Sequence, residues 1–388
     1  MDPLNINILT PTGKQGKCLL IDGERVSELG PCGKGAPPGH VLLPSFIDMH
    51  VHFRDFEQSA KETVKTGSMA ALAGGASAVC DMPNTVPPVS SRDIYERRQA
   101  LFERDSMCDF LINFCIYDKA SLEAAKNVDA FFIKIFLGET TGSYVLDPDL
   151  LEDVFRLRRP IAIHADIDGM KSSIKYSKRF GTPLHICHVS KREEVELIAG
   201  NKDGNITCEA TPHHLFLSGE YDVKPPLCNE TDKRYLWASL GNVIDIVSSD
   251  HAPHTLEDKD AGAYGVSGIE TLVPLMYTAL SRGNISYENF CNCMYLNQSR
   301  ILSRLGRDFG FGLGGRADFT ILDTSETFSI DPGNFHSKAK HSPFEGFGVD
   351  ARISETWVRG KPFFIDGKFL EGANGKQISK GYRFNHKA

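Results

Sequence analysis

An α/β protein, built as a (β/α)8 TIM-type barrel with a small β domain formed by both chain termini, is the fold class these 388 residues predict. Three observations carry that expectation. Eight short apolar strand candidates alternate with helix-like stretches through the middle of the chain, the pattern of a parallel sheet wrapped by helices. The two ends read differently, as short β pieces broken by Gly and Pro. Histidines, a lysine and an aspartate recur in the central strands near their C-terminal ends, where a barrel gathers polar groups into one mouth. A doubly wound open sheet is the competing topology.

Residues 1–43 contain "NINILT", "KCLLID" and "ERVSELG" and end in "GKGAPPGHVLLP". Residues 307–388 match them in style, with "ADFTILDTSETFSI", "ISETWVRGKPFFIDGKFL" and the turn "IDGK", so the two ends are expected to share one discontinuous β domain. Between them, residues 44–306 form the expected barrel. Its strands are "SFIDMHVH" (45–52), "SAVCDM" (77–82), "FLINFCIY" (110–117), "AFFIKIFL" (130–137), "PIAIHA" (160–165), "PLHICHV" (183–189), "NITCEA" (205–210) and "VIDIVSSD" (243–250). Stretches such as "KETVKTGSMAALAGG" and "SRDIYERRQALFERD" supply helices between strands. No internal repeat or low-complexity segment interrupts the alternation.

Composition narrows the partners. A hydrophobic content of 41% is enough for a real core, and the net charge of −7 is spread along the chain with both signs mixed. There is no basic stripe for a nucleic-acid backbone and no polybasic or bilayer-length apolar segment, so neither nucleic acid nor membrane is expected as a partner. The N-terminus lacks a basic region followed by an apolar one, and the ten cysteines form no CxxC pair; both suit a cytoplasmic, reducing setting.

The chemistry begins at "FIDMHVHFRD", residues 46–55. Side chains two apart on a strand share a face, so His50 and His52 can bind one metal ion. One HxH is equally at home as two packed histidines. Lys134 in "FIKIF", His164 in "IAIHAD", His188 in "HICHVS" and Asp250 in "SSDHAPH" extend the set to other strands, which packing alone does not account for. Lys134 lies between two isoleucines, where a bare ammonium is expensive to bury and a protonated amine cannot ligate a metal. Carboxylation by CO2 resolves both difficulties, because the resulting carbamate is anionic and its two oxygens can bridge two metals. A lysine that snorkels outward is the plainer alternative. Nitrogen and carboxylate donors without a thiolate cluster suit Zn(II). Two such ions about 3.5–4 Å apart would share a water, lower its pKa and polarise a carbonyl, with Asp250 as a weak ligand and as general base then acid.

The motifs "DMHVHFRD", "DMPNTVPP", "IKIFLGETTG", "AIHAD", "HICHVS", "CEATPHHLFL" and "SSDHAPHTLEDK" together resemble the amidohydrolase superfamily over nearly the whole chain, and within it the dihydroorotases with a carboxylated lysine. The resemblance implies reversible hydrolysis of dihydroorotate to N-carbamoyl-aspartate in pyrimidine synthesis, with two Zn(II) and CO2 held as the lysine carbamate. Carried over by position, His50 and His52 bind one metal, His164 and His188 the other, Lys134 bridges, and Asp250 is the acid/base. Arg54 and Asn84 would take the substrate carboxylate, with His254, Tyr264 and Gly265 as further substrate contacts and Lys224 where an asparagine is usual. His213, His214 and His251 are expected to be structural or to orient ligands. The resemblance also admits a homodimer or an association with aspartate transcarbamoylase.

The chain departs from the family pattern at Phe56–Glu57, which replace a Pro-Gly pair, and at Asp166, where a glutamate is common. "LGETTGSYVLD" after Lys134 reads as a mobile lid over the site. Cys187 and Glu209 sit beside the constellation and a further metal there is conceivable. On a regular strand, however, Cys187 points opposite to His188, which favours packing. Two rival readings remain: a related cyclic amidohydrolase (hydantoinase, dihydropyrimidinase or allantoinase), against which Arg54 and Asn84 argue, and a non-catalytic structural homologue, against which the full ligand set argues.

Overall fold

Eight parallel strands form the barrel: Ile47–Val51, Ala78–Asp81, Asp109–Ile112 continued by Phe114–Cys115, Ile133–Phe136, Ile161–His164, Leu184–Ile186, Ile206–Ala210 and Ile246–Val247. The computed structural model describes residues 3–31, 36–44, 46–138 and 144–380. Strands one to three pair in order, and so do strands three to eight. A parallel bridge between Val51 and His251 closes the ring, with His52 N donating to His251 O at 2.8 Å. Most strands are buried at every position and rich in Ile and Val, as covering on both faces demands.

The strands are shorter than the apolar runs suggest, because polar side chains take over the backbone bonding at their ends. Asn113 interrupts the third strand and its Oδ1 accepts Phe132 N at 3.0 Å. Beyond Val247 the eighth strand gives way to bonds with Asp48, whose carboxylate accepts Ser249 N at 3.1 Å. Residues 139–143 at the centre of the expected lid lie outside the described residues; Tyr144 beyond them donates to Thr85 O at 3.3 Å.

The terminal strands Leu4–Thr10, Gly13–Asp22, Arg25–Pro31 and His40–Pro44 join Phe319–Asp323, Arg352–Val358, Lys361–Ile365 and Lys368–Phe369 in one eight-stranded sheet. His40–Pro44 is its hinge, parallel to Leu4–Thr10 and antiparallel to Phe319–Asp323. Not all of the C-terminal stretch belongs to that sheet. Phe110 N donates to Lys376 O and Ile378 N to Phe110 O, both at 3.0 Å, so residues 376–378 dock on the third barrel strand. His341 Nε2 meets His254 O at 3.0 Å, which brings a second C-terminal segment to the barrel mouth. No helix among the described residues is long and apolar enough to cross a membrane.

Outer helices cover the barrel. Val64–Ala73 starts at Thr63, whose side chain accepts Thr66 N in a capping box, and Arg92–Asp105 starts at Ser91, which accepts Ile94 N. Gly67 lets the first of these approach the chain leaving strand one: a Cβ there would lie 2.7 Å from Cε1 of Phe53, whose ring stacks on Phe102. Gly67→Ala is therefore expected to lower unfolding stability by about 1–3 kcal/mol through overpacking, measured by denaturant titration.

Candidate active site

One cavity at the barrel mouth is lined by His50, His52, Arg54, Asn84, Lys134, His164, His188, Lys224, Asp250, Tyr264 and Gly265, together with Phe136, His213, Val223, Ala252 and Val266. Residues more than 200 apart in sequence meet there, and His254 lies one layer behind them. His50 and His52 converge on a single atom: their Nε2 atoms are 3.4 and 3.1 Å from Asp250 Oδ1. The other nitrogen of each ring is spoken for. His50 Nδ1 donates to Glu209 Oε1 at 2.5 Å, and His52 Nδ1 to Asn84 Oδ1 at 2.7 Å. Glu209 is itself oriented by His185, whose Nε2 is 3.2 Å from Oε2.

This orientation exposes the nitrogens a metal would use, with carboxylate and amide partners fixing the rings from behind. Burial, and then the charge of Arg54, hold His52 neutral, with its pKa pushed down to about 3 despite the bond to Asp250. Its Nε2 lone pair thus faces a carboxylate oxygen, and a cation relieves that opposition. Burial alone would lower the pKa of His50, but Asp250 and Glu209 outweigh it and raise it to about 10, so a proton there balances two carboxylates. Burial disfavours the Asp250 carboxylate, yet His50, His52 and His188 bring its pKa well below the ordinary range.

On the far side, His164 Nδ1 and His188 Nε2 are 2.9 Å apart, and the buried Nδ1 of His188 has no hydrogen-bond partner among the described residues. Burial and the neighbouring His164 keep His188 neutral. Lys134 is fully buried; its Nζ donates to Cys187 Sγ at 2.9 Å and lies 5.2 Å from the Phe136 ring centroid, with no ion pair among the described residues. The donor atoms of His50, His52 and Asp250 lie within 4.8 Å of one another, close enough to hold one metal ion. On this evidence of donor type, spacing and unpartnered nitrogen, the cluster fits a metal centre.

The expectation that Cys187 points away is corrected. Strand six ends at Ile186, and His188 takes a left-handed φ of 37°, so the two-residue alternation is lost and Cys187 turns toward Lys134. Cys187, His50 and Glu209 form a second group of donors within 4.8 Å.

Arg54 is 2% exposed, with a pKa lowered by burial to about 10, so it stays charged at neutral pH. Its Nε has no hydrogen-bond partner among the described residues, and Nη2 lies 3.1 Å from His254 Nε2. Burial, then Arg54 and Lys61, push the pKa of His254 down to about 3. The neutral ring has one proton to give, and Tyr264 O, 2.9 Å from the same Nε2, is the acceptor present. Arg54, Asp55 and Phe56 all have positive φ, at 42°, 61° and 46°, a conformation that disfavours each by about 1–2 kcal/mol. Lys224 Nζ stands 4.5 Å from the Tyr264 ring centroid. Gly265 has a φ of 147°, where a Cβ would strike Ala252, and its N–H already goes to Asp222 O at 2.8 Å.

Several participants escaped the sequence reading. Glu209 serves as the orienting partner of His50 rather than as a bystander, but only the fold reveals a contact across 159 positions. His213, expected to be structural or to orient ligands, lines the cavity with a buried Nε2 that has no hydrogen-bond partner among the described residues. Arg98, fully buried, donates to the Arg54 carbonyl; the Tyr95–Arg98–Phe102 spacing was the available signal, since it sets an arginine on an apolar helix face.

Comparison with known proteins fits this geometry. A model of the amidohydrolase family matches residues 41–363. The chain is 37% identical over 365 residues to a dihydroorotase of Pyrococcus abyssi, covering 88% of both chains. It is 32% identical over 348 residues to multifunctional protein CAD of Squalus acanthias, spanning 85% of this chain and 15% of that protein. In three dimensions it superposes on the L-hydantoinase of Arthrobacter aurescens with a TM-score of 0.88 at 22% identity, covering 97% and 98% of the two chains, a likeness of fold.

Proposed function

The chain belongs to the amidohydrolase family, and from that premise we propose that it is a dihydroorotase, hydrolysing the cyclic amide of dihydroorotate reversibly to N-carbamoyl-aspartate in pyrimidine biosynthesis. The observation that carries the choice of substrate is Arg54: a buried guanidinium whose Nε has no hydrogen-bond partner among the described residues, inside a cavity lined by candidate metal ligands. A planar fork of donors matches a carboxylate, and a cyclic amide without one gives it nothing to bind. This is what favours dihydroorotate over the hydantoins and dihydropyrimidines handled by proteins of the same fold.

His50 and His52 would hold one Zn(II) and His164 and His188 a second, with Lys134 between them as the carbamate formed with CO2. Bound zinc supplies Lewis acidity, which brings water toward neutral pKa and polarises a carbonyl. The chain's own residues do the rest. Arg54 and Asn84 grip the substrate carboxylate, Tyr264, Gly265 and Lys224 flank it, and His254 stands behind Arg54. Asp250 takes a proton as water adds to the ring amide carbon, then passes it to the nitrogen as the C–N bond breaks. The reading places catalysis in residues 44–306, with 1–43 and 307–388 as the flanking β domain, and the enzyme in the cytoplasm. A homodimer or an association with aspartate transcarbamoylase belongs to the same proposal, supported by the match to part of a multifunctional protein.

Arg54→Gln tests the substrate assignment. Truncating one member of a buried charge pair costs about 2–5 kcal/mol, so kcat/KM for dihydroorotate is expected to fall roughly thirty- to several-thousandfold. Any turnover of dihydrouracil, which lacks the carboxylate, should change by less than about threefold. Equal losses on both substrates would assign Arg54 to the structure of the site instead.

A further inference from the structure

The left-handed run Arg54–Asp55–Phe56 contains no glycine, so neighbouring groups must hold it. Asp55 is tied by its N–H to Glu62 O and by Oδ2 to Val64 N, each at 3.0 Å. Arg54 is held by a different element. Arg98, on the helix Arg92–Asp105, donates Nη1 to Arg54 O at 3.0 Å. Its Nε and Nη2 donate to Asp81 Oδ2 at 3.0 and 2.8 Å, and Asp81 Oδ1 accepts Phe53 N at 3.0 Å. The Arg98–Asp81 pair therefore grips both ends of the Phe53–Arg54 segment, from the N–H of one residue to the C=O of the next. The Phe56 ring lies against two guanidinium groups, with centroid distances of 5.4 Å to Arg97 and 5.6 Å to Arg98. This is where the chain carries Phe-Glu in place of the family's Pro-Gly.

We infer that Arg98 is the positioning residue for Arg54: it fixes the turn from which Arg54 reaches the substrate carboxylate, and the stacking of Phe56 on the two helix arginines replaces the stiffness of the Pro-Gly turn. The inference rests on the dihydroorotase reading. Arg98 does not line the cavity; it acts through Arg54. Lysine cannot substitute, because one ammonium cannot span a carboxylate and a carbonyl with the fixed fork that arginine provides.

Steady-state kinetics of Arg98→Lys, alone and combined with Arg54→Gln, tests this. Alone, KM for dihydroorotate is expected to rise about tenfold or more, with kcat within about threefold and zinc content unchanged, as a misaimed binding group produces. In the Arg54→Gln background the same substitution is expected to have no further effect on KM. Phe56→Leu, which leaves the buried ion pair intact, should show the same pattern at several-fold and serves if Arg98→Lys does not fold. An unchanged KM, or an equal rise in both backgrounds, overturns the inference. A wild-type enzyme that is zinc-loaded yet inactive on dihydroorotate overturns the underlying reading first, and the inference with it.

Discussion

Replacing Lys134 with alanine is expected to abolish dinuclear metal binding and to reduce turnover at least about a thousandfold, because activation of water near neutral pH goes with the metal centre. The reason lies in the surroundings of Lys134. It is fully buried, with a thiol and an aromatic ring as neighbours and no ion pair among the described residues. An isolated ammonium there carries a desolvation penalty of several kcal/mol in practice. On the proposed reading, conversion to an anionic carbamate would turn an unfavourable buried charge into a metal ligand. The measurement is zinc per chain, by elemental analysis of protein purified with bicarbonate, alongside dihydroorotate turnover. Two zinc ions in Lys134→Ala, with turnover within tenfold of wild type, would return the residue to a packing role.

Asp250→Asn is expected to lower kcat about 10²–10⁴-fold while most of the zinc remains bound. The carboxylate oxygen Oδ1 lies 3.4 and 3.1 Å from Nε2 of His50 and His52, and its pKa is held well below the ordinary range, so it is ionised at neutral pH. Asparagine keeps the shape and one oxygen for the histidine side, yet it cannot take a proton from water or return one to the leaving nitrogen. The four histidines and Lys134 are all kept, which separates this variant from Lys134→Ala. A loss of zinc matching the loss of turnover would make Asp250 a structural ligand only.

The barrel was legible because its strands are buried on both faces and read as continuous apolar runs between Gly- and Pro-rich breaks. The paired histidines and Arg54 were legible because strand geometry is short-range: spacing by two sets a common face. What was not read depends on where regular structure stops and on which distant elements the fold brings together. Cys187 faces the cluster because the backbone turns left-handed at His188, and no residue type announces that in advance. Glu209 and Asn84 orient His50 and His52 across 159 and 32 positions, contacts that the fold decides. Arg98 sits in "ERRQALFERD", whose charges suggest a solvated face, although only Arg98 of that pair of arginines is buried. The last residues described dock on the barrel through irregular backbone bonds, which leave no periodic signature.

On the proposed reading, Arg54 would grip a substrate carboxylate within a metal-dependent cyclic amidohydrolase site. The most direct test is the kcat/KM of the zinc-loaded enzyme for dihydroorotate, measured beside hydantoin and dihydrouracil under identical conditions. A site that pairs a buried polar group with its substrate rejects analogues lacking the partner by about 10⁴-fold or more, and a preference of that order for dihydroorotate is the expected result. Hydantoin or dihydrouracil turned over as well as dihydroorotate would contradict it.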